Sequence, residues 1–198
     1  MKSLLGCALL ILANLTLRAA DYSQDPGHFG GFTSSESLAV ADQFVLSQDT
    51  TISVISWWGG DISNPTKNLK VRLFSDNEGQ PGTLLFESGN DSILKLKTGD
   101  FVNRGTGRHD PNLYPEFQYT LVLREPFVAA AGVTYWVSIV SESGKQWLWE
   151  ASGSQENLGV QRSLFNDAIN GPWTPTDYNT AFAIGTVLKN SPARKIRH

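Results

Sequence analysis

The chain has 198 residues and a formal charge of −3. It is 11% aromatic and only 18% charged, with 18 glycines and 9 prolines. That length suits one domain with a sizeable core. The composition is that of a turn-rich all-β secreted domain rather than a helical one, and the acidic balance excludes nucleic acid as the expected partner.

Lys2, the apolar run Leu4–Leu12 and the small residues Ala19-Ala20 form the three regions of a secretory signal peptide over 1–20. The apolar run is too short to span a bilayer. Cys7 precedes that run instead of following it, so Leu5-Gly6-Cys7 is not read as a lipidation box. Cleavage near Ala20 removes Lys2, Arg18 and Cys7 and moves the formal charge from −3 to −5. The mature chain is then expected to have no disulfide, no thiol chemistry and no transmembrane anchor.

Residues 21–37 are polar and glycine-rich and read as a leading arm or a first edge segment. Strands begin at Leu38, where Val40, Asp42, Phe44 and Leu46 share one face. A second run starts at Thr50-Thr51 and carries Ile52, Val54, Ile55, Trp57 and Trp58 before Gly59-Gly60. Trp57 and Trp58 are adjacent, so at most one can face a core.

The clearest local unit is Leu69–Leu85. Leu69, Val71 and Leu73 alternate with Lys70 and Arg72, a turn cluster follows at Ser75–Gly79 and Pro81-Gly82, and Leu84–Glu87 resumes an extended pattern. Asp76, Asn77 and Gly79 suit the φ > 0 positions of a hairpin turn, and Pro81-Gly82 suits the centre of a type II turn.

Ile93, Leu94 and Leu96 suggest a strand that leads on to Phe101-Val102. Asn103–Pro115 has no apolar period and reads as the longest internal loop. Strands are then expected at Phe117–Leu123, at Thr134–Val140, around Trp147 and Trp149 (which face together, inward), at Gly159–Leu164 and at Phe182–Val187. Residues 189–198 are basic and read as a disordered tail. Eight to ten short strands without intervening helices predict a single antiparallel β-sandwich over 38–188, jelly-roll-like.

Three stretches together carry a likeness. They are Ala41-Asp42-Gln43-Phe44 with Trp57-Trp58-Gly59-Gly60; Phe74–Leu85; and Ala131-Gly132-Val133-Thr134-Tyr135-Trp136 followed by Trp147-Leu148-Trp149-Glu150. In this order the chain resembles the secreted bacterial β-sandwich domains of the choice-of-anchor and PEP-CTERM-associated group over most of Leu38–Val187. The resemblance implies an extracellular jelly-roll-like fold without established activity, so it supplies no catalytic residue. The Pro-Glu-Pro anchor of that group is missing from the end Ser191–His198, so release to the periplasm or medium is expected rather than tethering.

The candidate chemistry is sparse. Asp76, Asn77 and Glu78 offer hard oxygen ligands for a structural Ca²⁺, without EF-hand spacing; otherwise no cofactor is expected. There is no G-x-S-x-G motif, and no Ser–His pair stands out. Glu150 beside Trp149 is the most suggestive acid for glycoside hydrolysis with a second carboxylate, but alternation places it opposite Trp147 and Trp149, as a surface acid. Aromatic rings held in loops are the better candidates. Trp173 reads as the likeliest exposed ring, and with Tyr114, Tyr178, Arg104 and Arg108 it would form a shallow glycan-contacting patch.

The expected function is a non-catalytic secreted module that binds a polysaccharide or cell-surface component. The alternatives are a structural component of an extracellular matrix or surface layer, and a glycoside hydrolase-like enzyme.

Overall fold

The computed structural model describes residues 16–17, 20–35, 38–61, 69–89, 92–103, 113–141, 147–154, 158–163 and 172–188. The leader up to residue 15, Arg104, Arg108 and the basic tail 189–198 lie outside the described residues. Among the described residues there is no helix, and so none long and apolar enough to cross a membrane.

Two antiparallel sheets face each other, and the expected β-sandwich is what the chain forms. The first sheet runs in the order β13 (Thr174–Pro175), β12 (Val160–Ser163), β4 (Leu38–Val45), β10 (Thr134–Ser141), β6 (Leu69–Asp76), β7 (Pro81–Glu87). The second is built on β5 (Thr50–Asp61). One edge of β5 pairs with β14 (Phe182–Gly185) and, further along, with β11 (Trp147–Ser152). Its other edge pairs with β9 (Leu113–Ala129), which in turn carries β8 (Ile93–Asn103). β2 (Tyr22–Gln24) pairs with β14, and β3 (Pro26–Thr33) pairs with β11. The stretch expected as a leading arm or edge segment therefore supplies two edge strands. A short separate pair joins β1 (Thr16–Leu17) to β15 (Val187–Leu188).

Alternation along each strand decides what enters the core between the sheets. Val40, Phe44 and Leu46 meet Leu69, Val71, Leu73, Tyr135, Val137 and Ile139 from the first sheet, and Ile55, Trp57, Tyr119, Leu121, Trp147 and Trp149 from the second. Trp57 stacks on Tyr119 at 5.6 Å, and Trp147 on Trp149 at 6.3 Å. Trp57 is fully buried and its neighbour Trp58 only partly so, as adjacency on a strand requires. Each buried aromatic of this size contributes roughly 2–3 kcal/mol of apolar transfer free energy.

The Leu69–Leu85 hairpin is present as β6–β7, at the edge of the first sheet. Its turn differs in detail from the sequence reading. Asn77 and Gln80 exchange backbone hydrogen bonds of 2.8 and 3.2 Å around Glu78 (φ 53°) and Gly79 (φ 80°). This is a two-residue loop with both central residues at positive φ, the type I′ pattern that matches strand twist. Pro81-Gly82 does not form a type II turn, because Pro81 already pairs with Asp76 as the start of β7.

Candidate functional site

The second sheet curls on itself near the C-terminal end of β5. Its two edge strands there, β3 and β8, come into contact, with β11, β5 and β9 between them. The face turned away from the sandwich core is thereby enclosed. Val102 and Leu148 are fully buried on it. Gly60 supplies the room: a Cβ there would stand 3.1 Å from that of Tyr114 and 3.3 Å from that of Val102.

Two glutamates point into this enclosure from ordinary strand positions. Glu116 lies on β9 opposite Gly60, and Glu150 lies on β11. They are 1% and 0% exposed. Two bulges bring further groups to them. Glu150 pairs with Gly31 and Ser152 with Pro26, so Gly27–Gly30 stand opposite Ala151 alone. Likewise Lys97 pairs with Phe117 and Phe101 with Pro115, so Thr98–Asp100 stand opposite Glu116 alone. Bulges re-aim side chains in this way.

The first bulge holds His28 at φ 55° and the second contains Gly99 at φ 106°. His28 is half-exposed and sits as a lid on the pair. Its Nδ1 lies 3.2 Å from Glu116 Oε2 and 3.6 Å from Glu150 Oε1, and its backbone N–H donates to Glu150 Oε1 at 3.0 Å. His28, Asp100 and Glu116 each offer a ligand atom within 4.8 Å of the others. Burial first, and then contact with the Glu116 carboxyl, raise the Glu150 carboxyl well above the usual carboxylate range.

Next along β11 is a polar cleft of about 560 Å³, lined in part by Tyr22, Gln24, Asp25, Ser152, Ser154 and Asn179. Its groups are fixed by one another. Gln24 Nε2 donates to Tyr22 Oη at 2.7 Å, Ser152 Oγ donates to Gln24 Oε1, and the Ser154 N–H donates to Ser152 Oγ. Behind it, Asp42 is fully buried. Its carboxyl accepts from the N–H and hydroxyl of Thr180 and from the Gln43 N–H. Burial pushes this carboxyl up to about 7, against the lowering effect of those donors and of Gln24.

The residues singled out from sequence are not brought together. Tyr114 is in a strand, not a loop, because Leu113–Pro115 pair with Phe101–Asn103 and extend β9. Trp173 is not freely exposed. It is half-buried against a small cluster of Ala41, Trp136 and Val160 on the outer face of the first sheet. Tyr114 lies in the second sheet and Trp173 packs on the outer face of the first, so they form no common patch. Tyr178 is half-buried just before Asn179, and its carbonyl accepts from Thr176 Oγ1.

In the hairpin turn, Asp76 Oδ1 accepts from Trp136 Nε1 at 2.8 Å and Oδ2 from the Gly79 N–H at 3.2 Å. Both oxygens serve the turn, with exposed Asn77 and Glu78 beside them. Glu150 is not the surface acid that alternation suggested, because closure of the sheet covers the face it points to. Glu116 and His28 were missed as its partners. The Pro-Gly-His-Phe-Gly-Gly run at 26–31 was their one local signal, a glycine-dense stretch able to bulge.

These features define an antiparallel β-sandwich with one end of one sheet closed around buried carboxyls. The chain belongs to the family described as a domain of unknown function, DUF7901, whose model matches residues 20–185. A search of curated proteins finds no match.

Proposed function

We propose that this protein is a non-catalytic secreted β-sandwich module, periplasmic or extracellular, that binds a ligand in the cleft between β2 and the end of β11, with glycan the first ligand class to test. The observation that carries this reading is the lining of the cleft. Carboxamide, hydroxyl and carboxylate groups from Gln24, Ser152, Ser154, Asn179 and Asp25 surround about 560 Å³ of open space. Such groups act as donors and acceptors toward a polyhydroxylated ligand. Their mutual hydrogen bonds fix them in advance, which lowers the ordering cost of binding. The leader pattern over 1–20 and the resemblance to the choice-of-anchor domains support export.

A glycoside hydrolase reading draws on Glu116 and Glu150. Glycosidase carboxyls stand about 5–9.5 Å apart and open to the sugar. Here the two carboxyls are in contact and buried beneath His28, so the pair favours a non-catalytic role. The test is a glycan array probed with the full chain and with Gly153→Arg. Gly153 lines the cleft and no neighbour lies within 4 Å of a Cβ there, so an arginine is accommodated at the cleft wall without a clash at its Cβ. Binding by the wild type, lost in Gly153→Arg at unchanged melting temperature, is expected. A wild type that binds no glycan across the array, or a variant that binds equally well, overturns the reading.

A further inference from the structure

The geometry points to a divalent transition-metal site formed by His28, Asp100 and Glu116 at the closed end of the second sheet, with Glu150 beside it as a fourth donor. Each residue comes from a different strand. The two that do not lie at ordinary strand positions, His28 and Asp100, are carried there by the two bulges, which face each other across the enclosure.

The spacing is that of ligands around one ion. With metal–nitrogen and metal–oxygen distances of about 2.0–2.2 Å, donor atoms on a tetrahedral centre stand about 3.4 Å apart. His28 Nδ1 is 3.2 Å from Glu116 Oε2 and 3.6 Å from Glu150 Oε1. The full set of His28, Asp100 and Glu116 lies within 4.8 Å, with Asp100 exposed.

A second observation is independent of the clustering. Glu116 Oε2 and Glu150 Oε2 are buried, and neither takes part in a hydrogen bond of good geometry among the described residues, although His28 Nδ1 stands 3.2 Å from Glu116 Oε2. Leaving buried carboxyl oxygens unpartnered is costly, and among the described residues the basic side chain within reach of either glutamate is His28, at 3.2 and 3.6 Å. An ion seated between His28 and Glu116 would engage these buried oxygens, with release of the proton that burial keeps on Glu150. The imidazole in the set favours Zn²⁺ over Ca²⁺, which takes oxygen ligands alone, and the carboxylates also suit Mn²⁺. The half-exposed His28 leaves an entry path from solvent.

This site uses none of the cleft-lining residues, so it stands or falls separately from glycan binding. The test takes the full chain, strips it with EDTA, titrates it with ZnCl₂ and in a parallel series with MnCl₂ in a calorimeter, and follows melting at each ratio. Uptake of one equivalent of either ion with a rise in melting temperature is expected. His28→Ala, which removes the half-exposed imidazole, is expected to weaken binding at least ten-fold. Glu116→Gln is expected to abolish the metal-dependent rise in melting temperature. If Glu116→Gln does not fold, His28→Ala alone decides. No uptake of either ion by the wild type overturns the assignment, and so does uptake by His28→Ala equal to that of the wild type.

Discussion

The indole Nε1 of Trp136 donates a 2.8 Å hydrogen bond to Asp76 Oδ1, tying the hairpin turn to the outer face of the first sheet. Trp136 is fully buried, and the same carboxylate caps the turn through the Gly79 N–H. Asp76→Ala leaves the indole N–H of buried Trp136 without its protein partner. We expect a loss of about 1–3 kcal/mol, read as a lower urea midpoint with an unchanged slope.

The turn itself offers a matched pair of changes. Gly79 has φ 80° with open space around its Cβ position, so the cost of a side chain there is conformational and not steric. Gly79→Val is expected to destabilise by about 1–3 kcal/mol. Glu78 also sits at positive φ, where Asn is the favoured residue of a type I′ turn. Glu78→Asn is expected to raise the melting temperature. Equal melting temperatures for Gly79→Val and the wild type would contradict the turn geometry.

Asp42 imposes a pH dependence of definite sign. Its carboxyl titrates at about 7 in the folded chain, against an ordinary value of 3.8. Between those values the folded state keeps a proton that the unfolded chain has lost. The contribution of Asp42 is therefore fully present below about pH 4, falls as the pH rises toward 7, and is level above that, an effect on the order of 4 kcal/mol. Urea midpoints for the wild type and Asp42→Asn from pH 4 to 8 should differ in slope across this window. Parallel curves would show that the buried carboxyl does not titrate there.

Trp173 packs on Ala41, Trp136 and Val160. Trp173→Ala removes half-buried aromatic surface and uncovers Trp136. We expect a loss of about 2–4 kcal/mol with ligand binding retained, because Trp173 does not line the cleft. Loss of glycan binding at an unchanged melting temperature would instead restore Trp173 as a contact residue.

The period-2 alternation and the turn clusters were enough to read an all-β sandwich, because the facing of a side chain within one strand is a local property. For the same reason the facing of Trp57 against Trp58, of Trp147 with Trp149, and of Glu150 away from both was legible. What lies over a face is not local. Alternation points Glu150 outward, and only the curl that brings β3 against β8 turns outward into buried. The meeting of Glu116 with Glu150 depends on strand order, with β9 and β11 on opposite edges of β5. The placing of His28 and Asp100 depends on two bulges whose extra residues are defined only by the register of the partner strands. Pairing and register are set by contacts between distant parts of the chain, and so the residues of the candidate site became neighbours only in the tertiary structure.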